Sequence, residues 1–201
     1  MSSTYLEDLT GDYVLDPTNT RLGFVARHAM VTRVHGVFET FHGTAHIDLV
    51  DPSRSTAEVD IEAGSVTTGI AQRDAHLRTS DFLDVPHHPV IAYRSTEISR
   101  VDHSTFHMLG DLTIRGVTNP LALEFHHHGV TTDAAGNVRV AFTASSVISR
   151  RAWGVSWSAP VEAGGLVVAD AVTLELDVSA LRVRPATAAG SSGVTTTAVS
   201  S

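Results

Sequence analysis

The chain predicts an all-β fold, an eight-stranded antiparallel barrel with one short helix and its loop covering an end. Three observations predict it. Most of the sequence alternates apolar and polar residues with a period of two, the pattern of strands that bury one face. These runs recur at short spacing between turn-forming residues. One stretch alone, Thr67–Pro89, reads as a helix followed by an apolar loop. About eight one-faced strands must hide their apolar sides, which a two-sheet sandwich or a closed barrel would both do. A lone helix set between strands favours the barrel, because a barrel has an open end to cover. Eight strands leave an interior wide enough for one small or elongated ligand.

Composition bounds the function. With 201 residues and 42% hydrophobic content, the chain reads as one domain with a sizeable core. A net charge of −8 argues against nucleic acid as a partner and against electrostatic docking on anionic lipid. The absence of cysteine removes disulfides, thiol nucleophiles and Cys-ligated metals, and fits a reducing compartment. The opening MSSTYLEDLTG lacks a secretory pattern, and no apolar run reaches transmembrane length. The expectation is a cytoplasmic protein without stable membrane insertion.

In order, residues 1–11 read as an N-terminal arm and residues 12–182 as the barrel domain. Tyr13-Val14-Leu15 opens the first strand, and Asp16-Pro17-Thr18-Asn19 is a turn. Leu22, Phe24 and Ala26 then share one face. Ala45, Ile47 and Leu49 share another face, and after the Asp51-Pro52-Ser53 turn so do Ala57, Val59, Ile61 and Ala63. In the helical stretch, Thr67 and Thr68 are set to cap the start, Ile70–Arg78 forms the helix, Asp74 and Arg78 are placed to pair, and Ile70 and Leu77 fall on one side. Pro86 and Pro89 end the loop, and Phe82, Leu83 and Val85 make it too apolar for a free linker. Strands follow at Val90–Ser95, with an extension to Asp102, and at Phe106–Arg115. Gly116–Pro120 signals a hairpin turn. Leu121, Leu123 and Phe125 form one face, as do Val138, Val140, Phe142 and Ala144. Ser149–Trp157 is irregular, and Val172, Leu174, Leu176 and Val178 line the last strand. Residues 183–201, rich in Ala, Thr, Ser and Gly, read as a disordered tail.

Three separated segments carry a resemblance: Arg73-Asp74-Ala75-His76-Leu77-Arg78 with Ser80–Val85 and Pro89; Gly110–Pro120; and Ile148-Ser149-Arg150-Arg151-Ala152-Trp153-Gly154-Val155. In this order and spacing, and with Leu15-Asp16 and Phe24 ahead of them, they resemble the YceI-like family of polyisoprenoid-binding proteins over roughly Gly11 to Leu181. The resemblance implies an extended lipocalin-like barrel, often dimeric, that holds an isoprenoid chain or related lipid.

The candidate ligand-binding residues are Phe24, Arg73, His76, Leu77, Phe82, Phe142, Arg150, Trp153 and Trp157. Small residues, Ala26, Ala45, Ala57, Ala63 and Ala144, are candidates to line a dry tube, where each buried CH₂ is worth roughly 0.8 kcal/mol. The alternative is an ordinary packed core. Arg73, His76, Arg150 and Arg151 are suited to a polar or phosphate head at the mouth, or to structural ion pairs with Asp74, Asp81 and Asp84. Trp153 and Trp157 are placed to pack on a ligand chain or plug a barrel end. His126 and His128 share a strand face with Glu124, which is metal-ligand chemistry, but that face points to solvent opposite Leu121, Leu123 and Phe125; no metal is expected there, nor at His87-His88. No G-x-S-x-G, phosphate loop or dinucleotide fingerprint is present. The expected function is non-enzymatic binding, carriage or storage of a polyisoprenoid, quinone or other long-chain lipid, without a cofactor. The alternatives are an enzyme using the barrel as a dry chamber, with His76 and nearby carboxylates as acid/base groups, and an interaction protein whose barrel is full of side chains.

Overall fold

The computed structural model describes residues 9–28, 32–158 and 168–184. Residues 1–8 of the expected arm and 185–201 of the expected tail lie outside them. Among the described residues eleven strands make one sheet: β1 Gly11–Leu15, β2 Arg21–His28, β3 Thr32–Phe38, β4 Phe41–Ile47, β5 Thr56–Glu62, β6 Val66–Thr67, β7 Val90–Arg100, β8 Thr105–Ile114, β9 Val117–Thr132, β10 Val138–Ser149 and β11 Val168–Arg182. Every pairing is antiparallel, and β1, β4, β5, β7, β8, β9, β10 and β11 close into a ring.

The other three strands continue members of that ring. β1 and β2 both lie along β11, Leu15 opposite Ala180 and Leu22 opposite Leu176. β4 follows β3 after Glu39-Thr40, and β6 follows β5 after a 3-10 turn, Ala63–Ser65. The barrel is therefore an eight-stranded meander in which three long strands are each broken once. The first break is stitched by Asp16. This carboxylate is 7% exposed and accepts from the Thr18 amide (3.0 Å), Asn19 Nδ2 (2.8 Å) and Arg139. Thr20 Oγ1 exchanges hydrogen bonds with Ser179 O and N at 3.0 Å, so the corner stays on β11.

Directly opposed residues share a face, so register carries the apolar alternation around the ring. Ile61, Ile91 and Val59, Tyr93, Leu112 are such sets across β5, β7 and β8. Shifts at Ser95/Glu97 of β7 and Ala141/Phe142 of β10 mark bulges. Leu9 is already buried, packing with Leu49 and Phe106.

Two local expectations change. The β8–β9 hairpin turns at Arg115-Gly116, both with positive φ (53° and 74°), and not across Gly116–Pro120. Val117–Pro120 belong to β9. Pro120 faces Asp111 of β8 in a part of β9 that β10 does not reach, so no ladder bond is lost on that side. The helix, α1, spans Ala71–Leu77, and Ile70 is its N-cap residue and 53% exposed. Ile70 thus leaves the apolar side that Leu77 occupies.

Candidate functional site

The barrel encloses a cavity of about 340 Å³. Its wall is built from the inward alternate positions: Leu22, Phe24 and Ala26 on β2, Ala57, Val59 and Ile61 on β5, Leu121, Leu123 and Phe125 on β9, and Val172 to Val178 on β11. Val168 and Ala180 both line it. At ~3.3 Å per residue and ~40° of tilt that run of β11 spans about 30 Å along the axis. Leu77, Phe82, Leu83, Trp153 and Val155 line one end, the mouth; Leu49, Pro52 and Ser55 line the other.

α1 and the loop to β7 cover the mouth. Asp74, 5% exposed, anchors the start of this lid by accepting from the Thr68 amide (2.8 Å), Thr68 Oγ1 and Thr67 Oγ1 (3.2 Å). Burial opposes its charge, but these hydrogen bonds outweigh burial and hold the carboxyl below the ordinary range. The threonines therefore donate to Asp74 and do not cap the helix. Arg78 also takes other partners than expected: Nε donates to Gly64 O (2.7 Å) and Nη2 to Val66 O (2.8 Å), bolting the lid to β6. Arg115 bridges Phe82 O and Gly154 O, both at 3.2 Å.

The sequence-derived residues fall into two groups. Phe24, Leu77, Phe82, Phe142, Arg150 and Trp153 line the cavity, and Arg73, His76 and Trp157 do not. Arg73 donates to Thr68 Oγ1 (2.7 Å) and Thr68 O (3.0 Å). His76 Nε2 is 2.8 Å from Asp81 Oδ2, and its ring lies edge-on to Phe82 and Trp157, 5.0 and 4.7 Å between centroids. Arg150 is 5% exposed and donates to four backbone carbonyls: Ala169 (2.9 Å), Val155 (2.6 Å), Trp157 (2.8 Å) and Val168 (3.1 Å). Burial draws its pKa below the ordinary arginine value, Arg151 adds to this and Asp170 opposes it. Trp153 Nε1 donates to Leu112 O at 2.9 Å.

Ala26, Ala45 and Ala57 line the cavity as expected; Ala63 and Ala144 are buried but stand outside its wall. His126 pairs with Glu124 (3.3 Å) on the exposed face and His128 with Thr143 (2.7 Å), and among the described residues no group of three His, Asp or Glu is placed to hold a metal. His87 pairs with Asp84 at 2.9 Å. Leu15, Tyr93, Arg78 and Arg115 are not among the candidate ligand-binding residues that the sequence names, although Leu15 and Tyr93 line the cavity and Arg78 and Arg115 fasten its lid. The glycines inside strands were the available signal for the first two, since a strand glycine marks a close approach.

An antiparallel barrel closed around an apolar lumen and lidded at one end is a lipocalin-like barrel. Residues 13–180 match the model of the YceI-like domain, and the chain belongs to that family. A UPF0312 protein of Pseudomonas savastanoi pv. phaseolicola is 30% identical over 173 residues, 85% of either chain. One from Pectobacterium atrosepticum is 33% identical over 150 residues, 74% of this chain and 78% of that one. Among solved structures, Burkholderia cenocepacia BcnA superposes with a TM-score of 0.71 at 19% identity, covering 82% of this chain and 98% of its own. A polyisoprenoid binding domain from Saccharophagus degradans, implicated in plant cell wall breakdown, gives 0.62 at 18% identity, covering 85% and 98%. At these identities the two structures share the fold.

Proposed function

We propose that the barrel binds, carries or stores one long apolar molecule, a polyisoprenoid or a related lipid such as a quinone with an isoprenoid side chain, and does not transform it. The observation that carries this reading is the lumen, which runs most of the barrel length behind apolar side chains. Phe24, Leu77, Phe82, Phe142 and Trp153 touch the chain; Arg73, His76, Arg150 and Trp157 shape the mouth, where the polar head sits. The name of the Saccharophagus degradans domain supports the ligand class. The pair that an enzyme would use, His76 and Asp81, lies outside the cavity wall, which disfavours a reaction chamber. A cytoplasmic site of action and a homodimer belong to the same proposal, supported by the cysteine-free composition and by the family likeness; cell fractionation and sedimentation test them.

The test is a fluorescence titration with a polyprenyl alcohol in the Trp157→Phe variant, where Trp153 reports from the cavity wall. The reading expects a saturable change at one ligand per chain. A folded protein that shows no saturable change contradicts it.

A further inference from the structure

Three glycines face into the barrel from three different strands, and each is roofed by a large side chain of a neighbouring strand. Gly36 of β3 stands directly opposite Phe24 of β2, and a methyl on it would overlap the Phe24 ring tip. A methyl on Gly43 of β4 would lie 2.7 Å from Leu15 Cδ1 and 2.8 Å from Glu58 O. One on Gly110 of β8 would lie 2.5 Å from Tyr93 Cζ, 2.6 Å from its hydroxyl oxygen and 2.5 Å from Arg94 O. Phe24, Leu15 and Tyr93 all line the cavity. Each therefore lies flat over a bare Cα instead of projecting across the lumen. An independent observation marks the same arrangement: the Tyr93 hydroxyl is buried with no hydrogen-bond partner among the described residues, in a residue 9% exposed. The ring is kept against Gly110 although its oxygen goes unpaired there.

We propose that Gly36, Gly43 and Gly110 set the bore of the lumen and make it select methyl-branched over straight hydrocarbon chains. This rests on the ligand-binding reading above. A straight chain in the wider bore leaves gaps at the wall and forfeits dispersion contacts, which fall off steeply with distance. A chain with a methyl on every repeat fills the same bore. An added methyl at any of the three positions tips the roofing side chain inward and narrows the tube.

Gly36→Ala is the cleanest test, because the nearest atoms all belong to the Phe24 side chain and none to the backbone. The probes are geranylgeraniol and the straight-chain alcohol of equal carbon count, titrated into the full chain. Wild type is expected to prefer geranylgeraniol. In Gly36→Ala its affinity falls about tenfold while the straight-chain affinity changes by less than about twofold. Phe24→Ala in the Gly36→Ala background removes the displaced ring and restores the preference. If Gly36→Ala alone does not fold, the double variant and Phe24→Ala carry the test, both being expected to bind geranylgeraniol in preference. Equal losses for both probes, or a double variant that does not restore the preference, overturn the assignment of the bore to the glycines. No preference in wild type overturns the selectivity and leaves binding intact, and failure of wild type to bind either probe sinks the ligand-binding reading itself.

Discussion

Arg150 is a cation 5% exposed whose hydrogen bonds go to four backbone carbonyls. Those carbonyls belong to the chain after Trp153 and to the start of β11, so one side chain fixes the shape of the rim. A lysine carries a compact charge with three donors and cannot reproduce the planar fork. Arg150→Lys is expected to lose about 2–4 kcal/mol in denaturant unfolding, since each buried carbonyl left without a partner costs about 1–3 kcal/mol. A loss below about 0.5 kcal/mol would contradict this role. Tyr93 gives a test of opposite sign. Its hydroxyl has no partner among the described residues, so Tyr93→Phe is expected to hold or raise stability by up to about 1 kcal/mol. Burial, with the charge of Asp111 adding to it, pushes this phenol from 10.0 up to about 12. The unfolded chain releases the proton first, so stability is full below pH 10.0 and falls as pH rises toward 12. Tyr93→Phe should flatten that alkaline decline in unfolding midpoints; an unchanged slope assigns it elsewhere. Little of this was legible in the sequence. Arg150 stood out by composition, but a sequence does not show that backbone carbonyls, and not a ligand or carboxylate, would surround it. Tyr93 carried no signal of its own, and Gly110, which shapes its position, is seventeen residues away.

At the scale of elements, the lid is held by polar contacts at its start and by rings at its far side. Asp74 gathers Thr67 and Thr68, and Trp157 packs on His76 and Phe82. Asp74→Asn should speed amide hydrogen exchange in residues 67–89, by about 1–2 kcal/mol of local stability, and leave β8–β11 unchanged. Because its folded-state carboxyl lies below 3.8, the support it gives is present above that pH and lost as pH falls below it. The same segment should loosen in acid in wild type, and loosen less in Asp74→Asn, where Asp84, its carboxyl also held low by the His87 hydrogen bond, keeps its own share. Trp157→Ala removes two ring contacts worth about 0.5–1.5 kcal/mol each, so bound ligand should exchange about tenfold faster by stopped-flow displacement. An unchanged rate would show that the rings do not latch the lid. The helix was legible because Ala71–Leu77 lacks proline and glycine, and its flanks are rich in both. Its capping was misread for a physical reason. Threonine and aspartate both bear oxygens that satisfy a backbone amide, and only the fold decides which one accepts.

For the whole molecule, the strand alternation sorts residues into shared faces, and the fold decides which face turns inward. Leu22, Phe24 and Ala26, or Leu121, Leu123 and Phe125, are the same sets in sequence and structure. What alternation does not show is where a long strand breaks and resumes. The Asp16–Thr20 corner reads as a turn between two strands, and it is a kink within one edge of the ring, because Ser179 and Arg139 hold it there. Nor does alternation show whether inward residues meet at the axis. That depends on bulges, tilt and the three roofed glycines, and the outcome here is a lumen. On the reading proposed above, this lumen holds a long apolar chain. Native mass spectrometry of the protein isolated from its own host, followed by organic extraction, tests it most directly. One polyprenyl lipid or isoprenoid quinone per chain is the predicted result; a protein that emerges empty and also takes up no added polyprenyl lipid would contradict the account.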